Sequence, residues 1–151
     1  MSAEENLKKL NINLPKAPDP VGAYVASKII GNLIFISGQL PLDNEGKLIK
    51  GKIGKDLSLE QGQESAKLCA LNLLSQLKKK CDSLDKVKGC VKITGYVNSV
   101  DNFVDQPKVI NGASDLISEI FGDKGKHTRA AVSVNSLPLG ASVEVEGIFE
   151  L

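Results

Sequence analysis

Arg129, Glu144 and Glu146 are the residues of this chain best suited to act on a small anion. The run Arg129-Ala130-Ala131-Val132-Ser133-Val134 alternates valine with small residues and reads as a short strand. Leu137-Pro138-Leu139-Gly140 breaks it. Ala141 to Ile148 then alternates valine with glutamate, the period of a strand with two unlike faces. The spacing predicts two strands joined by a turn. Laid side by side, they would bring a guanidinium and a carboxylate to one cleft. Arginine holds a planar carboxylate through two parallel hydrogen bonds, and a nearby glutamate can move protons. Those parts can bind a small organic acid and hydrolyse a bond on it. The same two residue types also make plain structural ion pairs.

The elements that must carry these residues are legible along the chain. Ser2 and Glu5 fit a capping box, with Leu7, Leu10 and Ile12 as the apolar stripe of a short helix, and Pro15, Pro18 and Pro20 end it. Residues 1–20 thus form an N-terminal arm. Ala23 to Ile30 reads as a first strand and Gly31-Asn32 as a tight hairpin turn. Leu33 to Gly38 is an almost unbroken apolar strand, which places it centrally, and Lys47-Leu48-Ile49 reads as a short edge strand. Ser58 and Gln61 cap a helix with Ala66, Cys69, Ala70, Leu73, Leu74 and Leu77 on one face. Lys78 to Lys80 close it, where positive charge suits the helix dipole. Gly89 to Val97 is a further strand with Val91, Ile93 and Val97 inward. A second long helix spans Val104 to Phe121, with Pro107 in its first turn and Gly122 as its stop. Gly112 weakens that helix by about 1 kcal/mol relative to alanine and so points to close packing against a neighbouring backbone.

These elements predict one α/β (α+β) domain over residues 1–151, with a mixed sheet of about six strands and two helices on one face. The other sheet face needs cover, which predicts burial between subunits. Nineteen basic residues against eighteen acidic leave +1, no basis for gripping nucleic acid. No run approaches the ~20 apolar residues of a membrane span. Met1 to Glu5 lacks the pattern of a signal peptide. Cys69, Cys81 and Cys90 are an odd set without metal-ligand spacing, read as core residues of a reduced, cytoplasmic protein. No metal is expected. His127, the only histidine, falls in a loop and reads as solvated.

At four segments the chain resembles the RidA (YjgF-like) family of imine and enamine deaminases. They are Pro20-Val21-Gly22-Ala23-Tyr24, Phe35-Ile36-Ser37-Gly38-Gln39-Leu40-Pro41, Gln106 to Ala113, and Arg129 through Glu146. The last is the most specific, and the likeness is to a slightly longer, endoribonuclease L-PSP-like branch. The resemblance implies a chorismate-mutase-like fold and a homotrimer with clefts between subunits. It implies that Arg129 binds the substrate carboxylate and Glu144 positions or activates water. It places Tyr24, Ser37, Asn111 and Ala131 around the substrate, Ala131 standing where many members carry cysteine. The implied reaction is that of a 2-iminobutanoate/2-iminopropanoate deaminase, giving a 2-oxo acid and ammonia without a cofactor. Two alternatives stand beside it: a sensor that binds a small carboxylate without turnover, and an RNA-cleaving translation inhibitor.

Overall fold

The computed structural model describes residues 1–151. Helix α1 covers Ala3–Lys9, and strands β1 and β2 cover Ser27–Ile30 and Leu33–Gln39. Helix α2 runs Leu59–Cys81, β3 Gly89–Asn98 and α3 Gln106–Phe121. Strands β4 and β5 cover Thr128–Val134 and Val143–Glu150. The five strands form one mixed sheet in the order β1-β2-β5-β3-β4. All neighbours are antiparallel except β3 and β4, which run parallel with α3 as their crossover.

The helices begin where side chains satisfy their first amides. Ser2 with Glu5, and Ser58 with Gln61, form reciprocal capping boxes. The inward rows of β2, β3 and β5, including Ile34, Ile93, Val97, Val145 and Phe149, meet the apolar faces of α2 and α3 in one core. Burying each such side chain contributes about 1.5–3 kcal/mol. Gly112 lies where α3 crosses α2: a methyl group there would strike the Gln63 carbonyl. Gly112→Ala should therefore lower stability by about 1–3 kcal/mol, against the ~1 kcal/mol gain that helix propensity alone gives. Chemical denaturation with an unchanged slope would measure it, and a stabilised variant would refute the close crossing.

Several expectations need correction. The sheet has five strands, because Lys47 to Ile49 makes only isolated bridges, Leu42 with Leu48 and, one residue on, Lys50 with Ala141. β1 starts at Ser27 rather than Ala23, and β5, not β2, is central. The short helix expected from Ser2 and Glu5 forms as α1 and packs on α3. Val91 is exposed, since a register shift between Cys90 and Lys92 turns Cys90 and Ile93 inward instead. The largest correction concerns β4 and β5. They are neighbours in sequence but not in the sheet, because β3 lies between them. Pro138–Gly140 forms a 3-10 turn, with Leu139 at φ 59°, in the chain that crosses over.

Candidate active site

Arg129 is the only arginine among nineteen basic residues. It pairs with Ile93 in the sheet and shares that residue's helix-covered face. Its Nη1 donates to Asn111 Oδ1 at 2.8 Å and to Ser114 Oγ at 3.1 Å, and Nη2 donates to the Pro107 carbonyl at 3.4 Å. All three acceptors are neutral and belong to α3. No carboxylate pairs with this guanidinium. Of its five N–H donors, Nε–H and one on Nη2 have no protein partner. The plain ion pair is thus absent, and a cation remains with donors to spare. Ala131, two residues on, shares this face and packs against the core.

Glu144 occupies the opposite face. It is paired across to Tyr96, while Val143 and Val145 on either side are buried against the helices. Arg129 and Glu144 are therefore two strands apart, three residues out of register and on opposite faces. Strand spacing and rise give about 10 Å across the sheet and about 10 Å along it. One copy of the chain does not bring them to a common cleft, contrary to the side-by-side arrangement expected from sequence.

The Glu144 carboxylate is half-buried and has no hydrogen-bond partner in the protein. Burial, and then the nearby Glu146 charge, push its pKa above the ordinary glutamate value. Gly38 makes room for it: a side chain at 38 would collide with the carboxylate. Glu146 points the same way and accepts a hydrogen bond from Tyr96 Oη at 2.9 Å. Burial and that bond raise the Tyr96 pKa.

A groove of about 660 Å³ lies on this uncovered face. Tyr24 and Ser37 line it, with Phe35, Lys92, Thr94 and Glu146. The Ser37 hydroxyl donates to the Val25 carbonyl at 2.7 Å, and Tyr24 Oη accepts from the Val21 amide at 3.3 Å. Both side chains thus brace the irregular segment before β1 as well as lining the groove. The six expected site residues fall into two groups: Arg129, Asn111 and Ala131 beside α3, and Tyr24, Ser37 and Glu144 on the uncovered face.

Sequence reasoning missed Ser114, His127 and Tyr96. Ser114 follows Asn111 by one helical turn, a spacing that could have marked it. His127 is half-buried rather than solvated, bonded to Ser114 and to the Gly125 carbonyl. Tyr96 could be placed beside the glutamates only once β3 was known to pair with β5. No three His, Cys, Asp or Glu side chains cluster to hold a metal. The three thiols are free and buried, and burial pushes Cys90 up to about 12. No helix is long and apolar enough to cross a membrane.

This sheet, with its three helices and its split set of polar residues, defines a known class. The chain belongs to the YjgF/chorismate mutase-like, putative endoribonuclease family, whose sequence profile matches residues 4–151. It is 44% identical over 147 residues to protein TCP17 of Trypanosoma cruzi, covering 97% of this chain and 92% of that one. The crystal structure of Atu1372 from Agrobacterium tumefaciens superposes with TM-score 0.90 at 43% identity, covering 99% and 93% of the two chains. RidA from an Antarctic Psychrobacter superposes with TM-score 0.62 at 26% identity, covering 90% and 94%.

Proposed function

We propose that this protein hydrolyses small 2-imino acids to 2-oxo acids and ammonia at sites built between copies of the chain. The observation that carries this reading is the state of Arg129, a lone guanidinium held by neutral acceptors with unused donors. A cation so placed suits a small carboxylate ligand, which it can take in two parallel bonds. A RidA protein among the structural relatives supports the class of chemistry.

In this mechanism the substrate carboxylate docks on Arg129, beside Asn111 and Ala131. Tyr24, Ser37 and Glu144 of the partner subunit, presented on its uncovered sheet face, close the other side. Glu144 directs a water molecule at the imine carbon. A C–O bond forms as the C=N π pair moves to nitrogen. Nitrogen takes two protons, both from the attacking water and relayed by Glu144 of the partner subunit. As the second leaves the new hydroxyl, its O–H pair becomes the C=O π bond, the C–N pair departs with nitrogen as ammonia, and the carbon becomes a ketone. Positioned proton transfer of this kind contributes ~100- to 10,000-fold. The sheet face that no helix covers, with Phe35 40% exposed, supplies an apolar surface for the assembly, expected to be a homotrimer.

Complementation tests the reading. Arg129→Ala and Glu144→Ala should each fail to release ammonia from 2-iminopropanoate generated by an amino-acid oxidase. Unfolded together and refolded as a mixture, they should regain activity, because some sites then combine an intact Arg129 with an intact Glu144. A parent protein that binds 2-oxobutanoate but releases no ammonia would instead be a sensor. An active parent with a dead mixture would confine the site to one chain. For RNA, the groove offers two lysines, Lys28 and Lys92, and two aromatics, Tyr24 and Phe35, beside the Glu146 carboxylate, and a chain of net charge +1 favours a small anion over a polyphosphate strand.

A further inference from the structure

Behind Arg129 lies a chain of hydrogen bonds that has a single consistent direction when the imidazole ring is neutral. His127 Nδ1 is 2.6 Å from the Gly125 carbonyl oxygen. A carbonyl only accepts, so Nδ1 carries the proton, and Nε2 of the neutral ring is a bare acceptor. Ser114 Oγ is 3.0 Å from Nε2, so its hydroxyl donates there. Its lone pairs are thereby turned away from the ring, toward Arg129 Nη1 at 3.1 Å. The guanidinium can only donate, so every link has one consistent direction. Asn111 accepts the other Nη1 hydrogen. With both Nη1 hydrogens consumed, the planar guanidinium cannot turn about its Nε–Cζ bond, which would exchange Nη1 with Nη2, without breaking two bonds. Nε and Nη2 are left to face a ligand.

The structure assigns Ser114 and His127 as positioning residues that set the orientation of the Arg129 guanidinium for a carboxylate. The assignment rests on the proposed carboxylate role of Arg129 but not on deamination. Neither residue touches the ligand. They act by making the Ser114 oxygen a directed acceptor, fixed by a histidine tautomer opposite to the one free imidazole side chains favour. Gly125 belongs to the same device. A methyl group there would crowd the Ile117 and Ser118 backbone of α3, so the 3-10 turn at Gly122–Gly125 packs closely on that helix and presents its carbonyl to the ring.

The chain carries one arginine and one histidine, so nitrogen-15 NMR of the full protein reads each group without overlap. The parent should show His127 with its proton on Nδ1 and Arg129 with resolved, slowly exchanging Nη signals. A proton on Nε2 would overturn the assignment without any variant being made. Ser114→Ala and His127→Ala should merge the Nη signals and weaken 2-oxobutanoate binding about tenfold, the worth of one hydrogen bond to a charged group. His127→Gln, whose amide oxygen can accept from Ser114, should restore most of that affinity. A purely structural role would show no such rescue. If Ser114→Ala and His127→Ala leave both the Nη signals and the affinity unchanged, the assignment fails. Arg129→Ala separates the two readings. If it binds 2-oxobutanoate as well as the parent does, the carboxylate reading fails, and the Nη signals alone then judge the positioning.

Discussion

Arg129→Lys is expected to lower kcat/KM for 2-iminopropanoate by on the order of 100-fold, although it keeps the charge. An ammonium has no fork to match a carboxylate. It also cannot reach Asn111, Ser114 and Pro107 at once while still facing a ligand. Two charge-assisted hydrogen bonds at about 1.5–3 kcal/mol each set the scale of the loss. Fold stability should fall by about 1–3 kcal/mol, because bonds to the α3 acceptors are lost, while no ion-pair partner is stranded. Steady-state kinetics with oxidase-generated imine, beside a thermal melt, would check both halves. A lysine variant as fast as the parent would remove the carboxylate role altogether. An imine lacking the carboxylate should be turned over poorly by both proteins and show no difference between them.

Glu144→Gln should have the second large effect, in opposite directions for activity and stability. Activity should fall ~100- to 10,000-fold, since glutamine cannot take a proton from water. Stability should rise at neutral pH. The native state holds the Glu144 proton more tightly than the unfolded chain does, because burial and Glu146 disfavour the charge. Between the unfolded and the raised native pKa, the native state binds more protons, so stability falls as pH rises through that window. Above it the full cost of the buried charge is present; below both values it is gone. The glutamine variant carries no such charge. Its melting temperature should exceed the parent's at pH 7 and converge with it in acid. For the parent, kcat/KM should fall as acid protonates Glu144, with a midpoint above the ordinary 4.5. A midpoint at or below that value, or equal melting temperatures at pH 7, would show that the carboxylate is not held in a desolvated place.

Local chemistry made the elements readable. The two capping boxes, the Pro107 start and the Gly122 stop depend on side chains three or four residues from the backbone they serve, so sequence spacing exposes them. Gly112 was legible for a different reason: a glycine inside an apolar helix is hard to explain unless something lies against it. What stayed hidden was which strand lies beside which. The alternation of Val143, Glu144, Val145 and Glu146 says that one face is wet, but not that Tyr96 is across from Glu144 or that β3 separates it from Arg129. Those pairings arise between residues some 50 apart and are settled by packing on α2 and α3. Val91 shows the same limit, because the extra residue at the register shift breaks the parity that pattern reading relies on. Residue type and resemblance mark the candidate residues, whereas their division between two faces follows only from the sheet.

The central position of β5 bears on how the protein comes into being. On a ribosome, the β1–β2 hairpin and the β3–α3–β4 unit emerge before the strand that joins them. Each is left with an open hydrogen-bonding edge until residues 143–150 arrive and slot between them. Completion of the sheet is thus a late event, and nascent chains stalled before that segment expose two sticky borders.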